Sequence, residues 1–175
     1  MSMQPEQAIF LRQMMMPGLQ NEYRTTKSVI EAIPSEKGDY RPDPNAKSAM
    51  ELAWHVVAAS QRFLGGIAAG GFDFTPMHRP ESIRTSTDIA GWYAEKFEKN
   101  YAAISAMSGE QLCKMLDFRG LFQFPAVLYM QFDMNHEIHH RGQLSTYLRP
   151  MGGKVPAIYG ESYDSAEAKK VAGAA

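Results

Sequence analysis

The chain has 175 residues, of which 45% are hydrophobic and 21% are charged, so its composition is globular and excludes a disordered or collagen-like chain. At roughly 150 residues per domain, we expect one domain over residues 1–175. Eighteen Lys and Arg residues against nineteen Asp and Glu residues give a net charge of −1, which argues against nucleic acid as a partner.

The single cysteine and the start of the chain bear on its compartment. Cys113 cannot form an internal disulfide, and we expect it to be a buried, inert thiol. The first residues lack the basic and apolar regions of a signal peptide. The most apolar stretch, residues 121–132, is too short to span a bilayer. We therefore expect a cytoplasmic protein with no membrane partner.

Apolar residues recur at helical spacing in four long segments of the chain. The first covers about residues 5–33, and we expect Pro17, with the glycine that follows it, to break or kink this helix. The second covers about residues 49–69 and begins after a capping box that pairs Ser48 with Glu51. A Gly-Gly pair directly after it predicts where this helix ends.

The third segment covers about residues 87–107, and the fourth about residues 126–149. The intervening residues 112–124 are compatible with a turn, an extended segment or a short helix. Residues 154–175 carry no strong period, and we expect this tail to be frayed. Because no run of β-branched residues alternates with polar ones, the sequence predicts an all-α four-helix bundle.

Three of the five histidines fall within one five-residue window of the fourth segment. His136 and His140 point about 40° apart on a helix and lie one turn apart along it. Two imidazoles at this spacing can bind one metal ion. His139 could pair with His136 instead, so helical geometry leaves the second ligand open.

A third ligand must come from elsewhere in the chain. His55, in the middle of the apolar second segment, is the expected one, and His78 in a proline-containing loop is its competitor. Side chains of facing helices meet in a bundle core, and three nitrogens would leave positions open, as in catalytic zinc sites. Zinc, nickel, cobalt and iron all accept imidazole. We expect one divalent ion per chain, with zinc and nickel the leading candidates.

Each of these residues also has a structural interpretation without metal. A histidine on an apolar helix face is commonly a hydrogen-bonded core residue. We interpret Glu137 as a solvated helix charge rather than as a group that supports the ligands. Other chemistry has weaker signals, since the chain has neither a Gly-x-Ser-x-Gly motif nor a phosphate-binding glycine motif.

Residues 135–144 (NHEIHHRGQL) and residues 50–57 (MELAWHVV) together resemble the two metal-binding segments of the DinB/YfiT-like superfamily. Residues 147–152 and 155–160 are also similar to one branch of that superfamily. The resemblance extends over about residues 8–162.

The resemblance implies a bundle of the up-up-down-down type that often forms a homodimer. It implies a divalent metal held by one histidine of the second helix and two, four residues apart, of the fourth. These positions are His55, His136 and His140 here, and His139 matches a position that is not a ligand. Relatives include a maleylpyruvate isomerase and S-transferases that use mycothiol, bacillithiol or glutathione.

We therefore expect a metal-dependent enzyme that transfers a low-molecular-weight thiol to an electrophilic small molecule. The alternatives are a hydrolase that uses metal-activated water, a metal-binding stress protein without turnover, and a dimeric interaction module without metal. Gln143 and Tyr147 lie on the metal-facing stripe of the fourth helix. They are candidates for orienting a substrate, or for a structural hydrogen bond within the bundle.

Overall fold

The structure is a computed structural model that describes residues 3–173. Its elements are α1 (Pro5–Glu31), α2 (Ala49–Ala69), α3 (Ser86–Ala106), α4 (Gly109–Cys113), β1 (Met115–Phe118), β2 (Phe122–Pro125), α5 (Tyr129–Leu148) and α6 (Tyr163–Gly173). Single 3-10 turns occupy Ser35–Lys37, Ala126–Leu128 and Arg149–Met151. The four long helices, α1, α2, α3 and α5, form a bundle, which confirms the helical fold predicted from the sequence.

The ends of α2 follow the local signals in the sequence. The Ser48 hydroxyl accepts a hydrogen bond from the Glu51 amide at 3.2 Å, and the Glu51 carboxylate accepts one from the Ser48 amide at 2.8 Å. This reciprocal pair satisfies two amides that the first helical turn leaves without partners. Gly70 ends the helix in the left-handed conformation, with φ of 69°.

Of the break or kink expected in α1 at Pro17, the break is wrong, because the helix continues through this residue. Proline removes one helical hydrogen bond, and the carbonyl of Gln13 loses its donor. Pro17 and Gln13 are both exposed, so water can satisfy that carbonyl. On the opposite face Met16 and Leu19 are buried in the core, and their packing holds the helix across the proline.

The contacts at both ends of α1 show that it runs antiparallel to α3. Arg12, early in α1, donates a hydrogen bond of 2.8 Å to the carbonyl of Met107, just beyond the end of α3. Ser86, at the start of α3, donates one of 3.2 Å to the carbonyl of Ile33, just beyond the end of α1. Each helix therefore begins where the other finishes.

The connections on either side of α2 differ in course. The one before α2 stays at one end of the bundle, where the Met50 amide donates to the Gly38 carbonyl at 3.0 Å. The one after α2 runs back along that helix, because the side chains of Arg62 and then Trp54 donate to its carbonyls. As a result, α2 and α3 start at the same end and are parallel.

The direction of α5 completes the order of the bundle. Ser60 contacts Asp133 near the start of α5, whereas His55, earlier in α2, contacts the later residue His140. This makes α5 antiparallel to α2. In chain order, α1 runs up, α2 and α3 run down, and α5 runs up. The up-up-down-down order expected from the resemblance is wrong, because only the connection between α2 and α3 crosses the length of the bundle.

A short β-hairpin joins α4 to the last long helix. Residues 112–124 thus contain all three of the conformations left open by the sequence: a helix end, two strands and a turn. The strands pair antiparallel, with Phe118 opposite Phe122, and Arg119 and Gly120 turn the chain with positive φ values of 59° and 69°. Aromatic side chains on this hairpin, rather than β-branched ones, pack it against the start of α5.

The segment after α5 contains a helix that the weak sequence period did not predict. Ser162 accepts a hydrogen bond from the Ser165 amide at 3.0 Å, and Arg149 pairs with Asp164 at 3.1 Å. Residues 174 and 175, the end of the tail expected to be frayed, lie outside the described residues. Within residues 3–173, no helix is both long and apolar enough to cross a membrane.

Candidate metal centre

The side chains of His55, His136 and His140 meet where α2 packs against α5. The Nε2 atom of His55 lies 3.1 Å from Nε2 of His140 and 3.2 Å from Nε2 of His136. When zinc is bound at about 2.0–2.1 Å, tetrahedral angles place ligand nitrogens about 3.3–3.4 Å apart. Both separations are therefore close to the one that a shared ion requires, and all three ligand atoms lie within 4.8 Å of one another.

The fold brings three of the five histidines together and keeps the other two apart from them. Across the part of the chain that the structure describes, these three side chains are the group whose ligand atoms all lie within 4.8 Å of one another. His139 is exposed beside His140, and His78 is exposed in the connection between α2 and α3. The structure therefore brings together the set predicted from the sequence and leaves its two competitors outside.

The cluster is built from neutral imidazoles. Burial is the main cause that lowers the pKa of each, and neighbouring imidazoles lower it further. For His136 the pKa falls to about 3. Neutral imidazole is the form that ligates a metal, so protons compete with a metal only below the ordinary histidine pKa of about 6.5.

Gln143 fixes which nitrogen of His140 faces the cluster. The Nδ1 atom of His140 lies 3.1 Å from Oε1 of Gln143, an oxygen that can only accept. The proton of His140 is thereby held on Nδ1, and Nε2 presents a lone pair to the other two histidines. The Nε2 group of Gln143 in turn donates to the hydroxyl of Tyr147 at 3.4 Å, so the two predicted orienting residues form one chain of hydrogen bonds.

The donor set fits a borderline divalent cation. The Nε2 atom of His140 carries a lone pair and no proton. A proton on Nε2 of His55 or of His136 can form a hydrogen bond with only part of the cluster, so it does not satisfy all three nitrogens. In addition, the Nδ1 atom of His136 is buried and has no hydrogen-bond partner among the described residues. Three neutral nitrogens without a carboxylate suit zinc, nickel, cobalt or iron better than magnesium or calcium.

Aromatic side chains border the cluster on the side of the hairpin. The Phe63 ring lies 6.2 Å from the His136 ring, and it stacks on Phe118 at 5.5 Å. The three histidines themselves are half-buried, so the cluster keeps one side open to solvent.

A second polar group on α5, which the sequence analysis missed, lies behind the histidines. Glu137 is completely buried, so its interpretation as a solvated charge is wrong. Its carboxylate accepts hydrogen bonds from Tyr93 on α3 and, at 3.3 Å, from Thr26 on α1. Burial raises its pKa to about 7. It therefore lies in a closed polar layer of the bundle core.

Two further residues of α5 extend this layer at four-residue steps. Asp133 is fully buried, where desolvation and then the charge of Glu137 raise its pKa well above the usual range. Arg141 is 2% exposed and pairs with Glu22 at 2.5 Å. Asp133, Glu137 and Arg141 share one face of α5, but solvated helix faces also carry charges at four-residue steps, so the spacing alone does not mark this face as buried.

Comparison with known proteins agrees with both the fold and the motifs. A model of the DinB family matches residues 12–171. The uncharacterized protein YjoA of Bacillus subtilis strain 168 is 30% identical over 129 residues, which cover 73% of this chain and 82% of YjoA. The uncharacterized protein YrdA of the same strain is 31% identical over 114 residues, which cover 62% of this chain and 64% of YrdA.

Two crystal structures of DinB-like proteins share the architecture. That of YjoA from Bacillus subtilis has a TM-score of 0.67 at 24% identity and covers 86% of this chain and 97% of its own. That of a DinB-like protein from Bacillus cereus ATCC 10987 has a TM-score of 0.69 at 23% identity and covers 83% and 95%. At these identities the likeness shows the fold alone.

Proposed function

The chain belongs to the DinB family, and on that premise we propose that it is a metal-dependent enzyme that transfers a low-molecular-weight thiol to an electrophilic small molecule. The observation that carries the proposal is the convergence of three neutral histidine nitrogens, in which Nε2 of His55 lies 3.1 Å from that of His140 and 3.2 Å from that of His136. A cluster with one open side has the ligand number of catalytic rather than structural zinc sites.

His55, His136 and His140 would hold one divalent ion, for which zinc and nickel are the leading candidates. Because the three ligands are neutral, a bound ion would keep its full charge and lower the pKa of a coordinated thiol. Gln143 holds the proton of His140 on Nδ1 and so keeps Nε2 available. Phe63 and the aromatic hairpin limit access of water from one side.

The reaction proposed is a substitution at an electrophilic carbon. The thiol sulfur forms a bond to that carbon, the bond to the leaving group breaks, and the leaving group keeps the electron pair. The thiol proton passes to solvent. The resemblance to thiol-dependent S-transferases supports a thiol rather than water as the nucleophile.

The test compares metal-free and metal-loaded protein with glutathione, bacillithiol or mycothiol and a chlorodinitrobenzene electrophile. We expect thiol consumption that requires the metal, is lost in His140→Ala and persists in His139→Ala. Metal-dependent cleavage of esters or amides without thiol consumption would identify a hydrolase instead. If neither reaction responds to the metal, the protein binds metal without turnover.

A further inference from the structure

A cavity of about 260 Å³ lies against α2 beside His55. Trp54, Ala58 and Met77 form its apolar walls, and His55 lies at its edge. The indole nitrogen of Trp54 donates to the Met77 carbonyl at 3.0 Å, which holds the connection between α2 and α3 against the cavity. The cavity is therefore a defined space next to the candidate metal centre.

Two cationic side chains and one carboxylate line this cavity. Lys47 and Arg62 both line it, and Lys47 forms no ion pair with any described carboxylate. Arg62 donates to backbone carbonyls through Nε and Nη2 and forms no direct ion pair with a described carboxylate, although its charge lowers the pKa of Asp73. The one carboxylate in the lining, Glu51, is already paired with Arg41 at 2.9 Å and caps α2.

These two cations act on the histidine cluster. Lys47 contributes to the lowered pKa of both His55 and His140, and Arg62 contributes to that of His55. Positive charge beside a cation site weakens binding of the cation, since like charges repel. Arg62 has a structural role in holding the connection between α2 and α3, whereas metal binding alone does not account for Lys47. An anionic ligand that lies between Lys47 and the metal would offset the repulsion.

We propose that this cavity binds a carboxylate of the thiol co-substrate and so presents the thiol sulfur to the open side of the three histidines. The inference rests on the proposed function and narrows its substrate class to thiols that carry a carboxylate. The ammonium of Lys47 would pair with the carboxylate, and the apolar walls would contact the carbon chain of the thiol. A thiol without an anionic group would lack this interaction.

The experiment uses cobalt-loaded protein, in which binding of a thiol produces a sulfur-to-cobalt absorption band. The probes are 3-mercaptopropionate and its neutral methyl ester, which share one carbon skeleton. We expect the acid to bind more tightly than the ester, and Lys47→Met to reduce this preference about fivefold, as for a partly exposed ion pair. Lys47→Arg should retain the preference, and added salt should weaken it.

The matched control is Lys99→Met, which removes an exposed lysine from α3 and should leave the preference unchanged. If Lys47→Met weakens the acid and the ester equally, or if the wild-type protein binds both equally, recognition of the carboxylate is wrong while the proposed function stands. If cobalt binds but neither thiol produces the band, the thiol reaction itself is wrong, and this inference is overturned with it.

Discussion

Two polar faces of α5, built from one short stretch of sequence, differ in how their charges and lone pairs are satisfied. His136 and His140 face α2 and are half-buried, whereas Asp133, Glu137 and Arg141 are buried in the bundle interior. The buried face is compensated mainly from within the protein, by Ser60, Tyr93, Thr26 and Glu22, and Oδ1 of Asp133 is its one buried oxygen without a hydrogen-bond partner among the described residues. The histidine face has no comparable set of internal partners.

The difference between these two faces indicates which of them is available to bind a ligand. Buried carboxylates are costly unless they are hydrogen-bonded or paired, and the partners that satisfy Glu137 also remove it from metal binding. Three imidazole nitrogens that converge on one another keep their capacity for a cation, because no single proton among them satisfies all three. The contrast makes the histidine face the candidate for metal binding and the buried face a contributor to stability, and the variants below test the two faces separately.

The largest expected effect is the loss of metal from His140→Ala. Removing one of three nitrogen ligands should lower the affinity for zinc or nickel by more than the 10–100-fold typical of residues that only support a ligand. Calorimetric titration of the metal-free protein should give one ion per wild-type chain and no measurable binding for the variant.

His139→Ala is the matched control for that experiment. It removes an exposed imidazole one residue away from the cluster and should keep most of the metal affinity. Equal loss in both variants would show that the ion is not held by the three converging nitrogens.

The histidine face could be predicted from the sequence, whereas the buried face could not. Two histidines four residues apart share a helix face wherever the helix lies, and a histidine in an apolar helix has to meet the core. Glu137 is different, because its partners Thr26 and Tyr93 lie 111 and 44 residues away along the chain. Local sequence shows a charged residue on a helix and not the hydroxyls that enclose it.

Whether other parts of the fold could be predicted also depended on whether they are set by local or by distant contacts. The capping box at Ser48 was predictable because both its members lie within one turn. The helix directions were not, since they depend on whether each long connection stays at one end or crosses the bundle. The continuity of α1 through Pro17 likewise depends on solvent reaching the Gln13 carbonyl, which only the packed bundle reveals.

The next effect concerns stability and the buried face. Arg141→Met leaves the largely buried Glu22 carboxylate without its cation and should lower the free energy of unfolding by about 3–5 kcal/mol, as measured by urea denaturation. The double variant Glu22→Gln with Arg141→Met should recover part of this loss, because no charge is then buried alone. Lys170→Met, at an exposed ion pair, should change the value by at most about 1 kcal/mol.

The two faces should oppose each other in the pH dependence of the metal-free protein. The pKa of His136 is lowered to about 3 in the fold, so the unfolded chain takes up this proton first, and His136 destabilises the fold as pH falls from about 6.5 towards 3. The pKa of Glu137 is raised to about 7, so the fold keeps this proton longer, and Glu137 destabilises it as pH rises from about 4.3 towards 7.

Urea denaturation midpoints between pH 4 and pH 8 separate these contributions. His136→Gln should flatten the loss of stability on the acid side, and Glu137→Gln should flatten it on the neutral side. Bound metal should stabilise the wild-type protein increasingly as pH rises, because protons then compete less for the imidazoles. Equal stability with and without a chelator at pH 7.5 would contradict a contribution of the metal to folding.

The smallest effect should come from Gln143, which acts on the histidine face through His140. Its Oε1 atom accepts the Nδ1 proton at 3.1 Å, and residues that orient a ligating histidine in this way commonly contribute 10–100-fold to metal affinity. Because Gln143 is exposed and water can replace its carbonyl, we expect Gln143→Ala to weaken metal binding about tenfold, at the lower end of that range. Gln143→Glu keeps an acceptor and should bind the metal at least as tightly as the wild type.

Nitrogen-15 NMR of the metal-free protein provides the independent readout, since loss of the acceptor should shift His140 away from the Nδ1–H tautomer. Unchanged tautomer and affinity in Gln143→Ala would show that the fold alone, and not this hydrogen bond, directs Nε2 of His140 into the cluster.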